Sequence, residues 1–321
     1  MTIEVRPLSI SAVRRYLRCP YAWYLRYVEG HRPLTWTGTF FGRVAHQIIK
    51  AAYGGHPLPA AHRRVWREHF SDLFLERLDA FVELDRDYTA QGGKRSKAAK
   101  EWLASHPSYL DLKQELDETG QGTLAHVQWG KESLTDIYRR STALSALDRD
   151  EVLLPQPILV EGQPFHDPDF GKSDDDDDHL HLLHANLDGI PICGVPDVLA
   201  ETLDETAVVI ADYKTGRRAV SAADLREDAQ LILYRYLCIK ADIIAPDDVV
   251  FSAHARFDKT GFSWVTVKDD SAYERGLERL RQQFAAGDEG IRKGRFFPVK
   301  GLDQALSPCA WCDVRHVCCE V

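Results

Sequence analysis

The sequence predicts an α/β protein, on three observations. Helical periodicity dominates up to about residue 147. Short β-branched segments bounded by turn residues begin after Pro155, and two further helical repeats then alternate with the last strands. With 321 residues, 44% of them hydrophobic, the chain can bury a substantial core, and it is read as a single domain over residues 1–321.

The elements follow in order. Val13, Tyr16 and Leu17 sit at helical spacing behind Ser11, a candidate cap, which predicts a short helix within residues 9–27. A second helix is expected over about 39–53, stopped by Gly54-Gly55. From about 59 to 147 the pattern stays helical, with breaks expected at Gly92-Gly93 and at Gly120 to Gly122. Residues 158–160, 180–187, 190–199 and 207–213 read as strands of one sheet. Asp174 to Asp178 between the first two read as an exposed, self-repelling loop. A divalent-ion sink with His179, His181 and His184 is the less favoured alternative, and the run is assigned no role. Leu225, Ala229, Ile232, Leu233, Tyr236 and Leu237 predict a helix over 222–239. Strands at 249–255 and 262–267 joined by a turn at 258–261 follow, and then a helix over 271–286.

Charge and composition exclude little. The net charge is −9, but the aspartate run supplies −5 of it and leaves −4 elsewhere. Basic segments occur at Arg14, Arg15 and Arg18, at Arg63, Arg64 and Arg67, at 94–100 and at 292–295; each alone is more often a solvated face. No apolar run of about eighteen residues and no signal-peptide pattern is present, which leads to the expectation of a soluble cytoplasmic protein without a membrane partner. No Walker-type phosphate loop is present, so no ATP motor is expected in these residues.

Several residue sets carry chemistry. Asp197 ends Gly194-Val195-Pro196-Asp197 on one expected strand, and Asp212-Tyr213-Lys214-Thr215-Gly216 ends the next. Residues i and i+2 of a strand face the same way, so Asp212 and Lys214 project together, and an adjacent strand can bring Asp197 beside them. Two acids suit Mg²⁺ or Mn²⁺, and a lysine beside them suits phosphodiester hydrolysis. Taken alone, Asp-x-Lys reads better as the end of a strand before a tight turn, with Asp197 a surface loop residue; the further motifs in the chain shift the balance. Gly42-x3-His46 lies on the second helix and offers an imidazole ligand. Gln230-x3-Tyr234 shares one helix face, either as a contact to nucleic acid or as a polar rim. Glu161 is read as an edge residue in preference to a further acidic ligand. Trp23, Trp36 and Trp311 are read as core packing in preference to base stacking.

Of the seven cysteines, Cys309, Cys312 and Cys318 cluster at the C-terminus and Cys19, before Pro20, lies near the N-terminus. Four such thiolates can enclose zinc or an iron-sulfur cluster and clip the chain's two ends together, with Cys319 as an alternative to Cys318. Cys193 and Cys238 sit in apolar stretches and read as core thiols.

Taken together and in this order, these motifs resemble the iron-sulfur, RecB/AddB-type branch of the PD-(D/E)XK nucleases, which includes CRISPR-associated RecB-type exonucleases. The resemblance implies a restriction-endonuclease-like core with a mixed central sheet flanked by helices. It implies Asp197, Asp212 and Lys214 as the catalytic set, and His46, Asp197, Asp212 and the Tyr213 carbonyl around Mg²⁺ or Mn²⁺. Gln230 and Tyr234 would engage DNA, and Cys19, Cys309, Cys312 and Cys318 would bind a structural 4Fe-4S cluster. The implied activity is a metal-dependent deoxyribonuclease, by analogy an exonuclease on single-stranded DNA or DNA ends. It would serve recombination, repair, phage DNA processing or CRISPR adaptation, with a helicase or a recombination or CRISPR protein as a partner and oligomerisation left open. Two features depart from compact members: a helical insertion over 54–150 and the aspartate run. The rival reading is a non-catalytic DNA-end-binding or partner-binding scaffold held by a metal cluster.

Overall fold

A computed structural model describes residues 6–31, 33–92, 97, 101–102, 105, 108–167, 170, 182–216, 220–258, 261–268, 272–299, 309 and 312–318. The aspartate run, His179, His181, Trp311 and Cys319 lie outside the described residues.

Helices Ile10–Arg18 and Pro20–Tyr27 open the chain. The single helix expected there is divided at Cys19, whose extended backbone ends the first helix while Pro20 starts the second. The cap is Ser9, which accepts from the Ala12 N–H, and Ser11 lies one turn position inside. Strand β1 (Thr35–Trp36) leads into helix Thr37–Tyr53 and pairs in parallel with β2 (Val127–Gln128). Helices Leu58–Arg67, Asp72–Ala90, Ser108–Thr123 and Leu134–Ser145 occupy the segment up to the short helix Arg149–Val152. The break expected at Gly120 to Gly122 is absent, and both glycines lie within Ser108–Thr123. Gly120 is a packing glycine, because a Cβ there would stand 1.8 Å from Leu134 Cδ2. The missing side chain lets helix Leu134–Ser145 approach.

The strands that follow are β3 (Pro157–Val160), β4 (Gln163–Pro164), β5 (Leu183–Leu187), β6 (Ile190–Gly194), β7 (Val198–Glu201), β8 (Val208–Lys214), β9 (Val250–Asp258) and β10 (Gly261–Lys268). Six of them form a mixed sheet in the order β10-β9-β8-β7-β3-β4, in which β8 and β9 are parallel and every other pair is antiparallel. The segment 190–199, expected as one strand, is two. β6 pairs with β5 in a separate hairpin, and only β7 joins the main sheet. The break falls at Val195-Pro196, where proline has no N–H to give a ladder. The crossover from β8 to β9 carries helices Ala222–Arg226 and Ala229–Lys240 in place of one expected helix, with Asp228 capping the second. Helix Tyr273–Arg292 runs past the expected end at 286.

Period-two alternation along β8 sends Val208 and Ile210 to one face, and Ala211 and Tyr213 to the other. The first face packs against helices Ile10–Arg18, Ala229–Lys240 and Tyr273–Arg292. The second packs against helix Thr37–Tyr53 and the helices between 58 and 145. These last helices therefore share a core with the sheet, through Trp66, Leu78, Leu134 and Tyr138, and are not a separately packed module. Among the described residues no helix is long and apolar enough to cross a membrane.

Candidate metal centre

The centre lies where the sheet ends and the two helical layers meet. The β7–β8 ladder pairs Val198 with Ala211, so the next step outward sets Asp197 against Asp212. Asp197 stands just before β7, and its Oδ2 accepts the Tyr213 N–H at 2.7 Å. The Tyr213 phenol points to the other face, donating to the Val152 carbonyl at 2.7 Å, while its own carbonyl faces the centre.

His46 reaches in from helix Thr37–Tyr53. Its Nδ1 is 2.9 Å from Glu161 Oε1, and its Nε2 is 3.1 Å from the Tyr213 carbonyl and 3.9 Å from Asp197 Oδ2. Ligand atoms of His46, Glu161 and Asp197 all lie within 4.8 Å of one another. Glu161 is thus not the edge residue the sequence reading preferred. It stands with Gly162 in the β3–β4 turn, both at positive φ (48° and 73°), which is the two-residue type I′ hairpin. Its N–H donates to the Asp197 carbonyl at 2.7 Å, so the turn is anchored to the centre it serves. A left-handed glutamate is uncommon, since its Cβ crowds the backbone, and it is held here by the two strands it joins. The visible signal was the Glu-Gly pair between Val160 and Gln163, but only the pairing of β3 with β7 turns it inward.

Asp212 and Lys214 project together as expected and form an ion pair. Lys214 Nζ also donates to Gln230 Oε1 at 3.1 Å, and Gln230 Nε2 lies 2.8 Å from Asp212 Oδ1 and 2.7 Å from the Tyr234 hydroxyl. Gln230 and Tyr234 therefore meet the acid-lysine pair as one hydrogen-bonded set. Gly194 makes this possible, because a Cβ there would stand 2.9 Å from Leu237 Cδ1 and 3.1 Å from Tyr234 Cε1. Sequence reasoning missed His254 on β9, in register with Asp212. It is buried, with Nε2 3.4 Å from Asp228 Oδ2 and 3.9 Å from Asp212 Oδ2. A lone histidine in an apolar strand gave no signal.

Electrostatics favour a cation. Burial and the neighbouring Asp212 hold the Asp197 carboxyl well above the usual carboxylate range, against the pull of His46. Burial alone would lower His46, but Asp197, Glu161 and Asp212 outweigh it and raise the imidazole to about 10. The donors are carboxylate oxygens, an imidazole and a carbonyl, a set that fits a hard divalent cation such as Mg²⁺ or Mn²⁺.

The chain ends meet elsewhere. Cys19, Cys309, Cys312 and Cys318 line one cavity of about 750 Å³, which Gln230 and Tyr234 also line. Among the described residues the thiols form no set of three within 4.8 Å. The ends are tied by Asp313, which pairs with Arg15 (Nη2 to Oδ2, 2.7 Å) and with Arg26 (3.2 Å), and by Trp23 stacked on Phe296 at 5.7 Å. Trp23 is core packing, and Trp36 lines the cavity. Cys193 and Cys238 are buried thiols, and burial pushes Cys238 up to about 12.

No curated protein matches the chain closely enough to count as a relative. The sheet order, the acids at its end and the lysine two residues beyond the second acid agree with a family match over residues 7–319. On that match the chain belongs to the PD-(D/E)XK nuclease superfamily, whose members are metal-dependent nucleases.

Proposed function

We propose that the protein is a Mg²⁺- or Mn²⁺-dependent deoxyribonuclease that works as an exonuclease on single-stranded DNA or on DNA ends. The observation that carries this reading is the convergence of His46, Glu161 and Asp197 beside the Asp212–Lys214 pair at one end of the sheet. His46, Asp197, Asp212 and the Tyr213 carbonyl hold the cation, and the geometry adds Glu161 to that set. Bound there, the cation supplies Lewis-acid stabilisation of charge developing on the phosphate. The chain's own part is positioning. Lys214, fixed by Asp212 and Gln230, presents its ammonium to the scissile phosphate and to the attacking water. Gln230 and Tyr234 hold the neighbouring strand, with an amide and a phenol already aligned by their mutual hydrogen bond.

Cys19, Cys309, Cys312 and Cys318 bind a 4Fe-4S cluster that fastens the chain ends next to the Asp313 ion pairs. The process is recombination, repair, phage DNA processing or CRISPR adaptation, in the cytoplasm, with a helicase or recombination protein as a partner. The test uses anaerobically purified protein with end-labelled single-stranded, duplex and circular DNA, in Mg²⁺, Mn²⁺ or EDTA, beside Lys214→Ala. The expected result is metal-dependent loss of linear DNA, with circular DNA spared and the variant inert. Binding without cleavage under every condition would establish the scaffold reading instead.

A further inference from the structure

We propose that Arg140 is a positioning residue for Lys214, so that the helical segment between 54 and 150 sets the geometry of the catalytic turn. This rests on the role proposed above for Lys214.

Arg140 lies on helix Leu134–Ser145 and is 7% exposed. Its Nη1 donates to Glu132 Oε1 at 2.8 Å, and both side chains of that pair are nearly buried. Its Nη2 donates to the Thr215 carbonyl at 3.0 Å, and its Cζ stands 3.8 Å from the centroid of the buried Phe41 ring. Phe41 and Gly42 belong to the helix that carries His46. Gly42 faces the same turn, since a Cβ there would stand 3.4 Å from Thr215 Oγ1.

The position of Thr215 gives this contact its meaning. On one edge of β8 the ladder stops at the pair Lys214–Arg256, and on the other at Ala211–Val198. The peptide after the lysine is therefore beyond the sheet. The Thr215 carbonyl, in the peptide that follows, accepts from Arg140 Nη2. A guanidinium seated over a ring and fixed by a carboxylate is restricted in orientation, and that orientation directs its remaining donors. Glu132 neutralises the buried charge through Nη1, while the Nε of Arg140 is buried without a partner among the described residues. The second donor is satisfied by the backbone next to Lys214, so the same bond that pairs a buried N–H also constrains the turn. Misplacement of a reacting group by about 1 Å can cost on the order of 100-fold in rate, so this contact belongs to catalysis although Arg140 touches neither metal ligand nor substrate.

Two variants test the idea. Glu132→Gln/Arg140→Met removes both charges together and so leaves no uncompensated buried ion. Arg140→Lys keeps the pair with Glu132 and loses the fixed second donor. For each, the melting temperature, kcat, KM, calorimetric Mn²⁺ affinity and hydrogen exchange of the peptide spanning Lys214 to Gly216 are measured. Positioning predicts a fall in kcat of about 30- to 100-fold in the double variant and about 10-fold in Arg140→Lys. KM and Mn²⁺ affinity should stay within about twofold, and exchange at Thr215 and Gly216 should quicken in both variants. Wild-type kcat and unchanged exchange in a folded variant would overturn the proposal. If the double variant does not fold, Arg140→Lys decides. If the wild-type protein cleaves nothing, the exchange measurement still decides whether Arg140 fixes the turn, and the failure belongs to the nuclease reading alone.

Discussion

At the end of β8 the chemistry-bearing groups already touch, whereas at the chain ends they stand around a cavity. His46, Glu161, Asp197, Asp212, Lys214 and Gln230 are linked by hydrogen bonds or ion pairs, several of them inherited from strand register. The four cysteines come from a helix junction, from a short helix and from single residues near it, and Asp313 with Arg15 and Arg26 holds these segments together. A sheet fixes its side chains as a by-product of backbone pairing, so the first site is organised by the core. The second has no ladder beneath it and is joined by the Asp313 ion pairs, to which the proposed cluster would add. The metal centre should therefore tolerate loss of its cation without unfolding, and the cysteine patch should not tolerate loss of the cluster proposed for it.

The largest effect should come from the patch. Cys312→Ser would remove a ligand of the proposed cluster, a clip that would close nearly the whole chain, and the loop-closure entropy of such a cross-link is about 5 kcal/mol. Purified anaerobically, the variant should hold less iron than wild type and melt about 10 °C lower. Iron retained at wild-type stoichiometry would remove the patch from the comparison. Asp212→Ala comes next, with cleavage down about 1,000-fold and the melting temperature within a few degrees of wild type. A collapse of the fold would mean that the centre is held together by its charges instead of by the sheet.

A pH titration separates the two regions through the helical layer that carries His46. His62 in that layer is buried, and burial pulls its imidazole down to about 4. Ser141 Oγ donates to the Tyr138 carbonyl, so His62 Nε2 is the donor in the 2.9 Å contact to Ser141, and the lowered pKa keeps the ring neutral near pH 7. With the folded value below the unfolded one, the unfolded chain binds more protons. Stability is full above about 6.5 and is lost as pH falls toward 4, by on the order of 2 kcal/mol between pH 7 and pH 5. His62→Gln should flatten that slope while leaving iron content unchanged. An effect of similar size is expected at Glu161: Glu161→Gln should weaken Mn²⁺ binding by about 10- to 100-fold in calorimetry, with wild-type iron content. Unchanged affinity would return Glu161 to a hairpin residue.

The sequence made some of this legible and hid the rest for identifiable reasons. Asp212 and Lys214 follow from the two-residue period of a strand, and Gln230 with Tyr234 from the four-residue period of a helix. Glu161 and His254 were hidden because a turn and a neighbouring strand bring them in, and neither relation has a local spacing. The glycine at 120 misled for the same kind of reason. A glycine that breaks a helix and one that lets another helix approach look alike until the partner, here Leu134, is known.

By itself the sequence determined the α/β class, the acid-lysine pair on one strand, the imidazole on the second helix and the thiols at both ends. Each is a matter of periodicity or of residue chemistry. Only the tertiary structure decided that β6 and β7 part company at Pro196, that Glu161 turns toward His46, and that Arg140 reaches the turn after Lys214. Those relations span long stretches of chain and depend on which faces are buried together, a property of the packed core that no local pattern encodes.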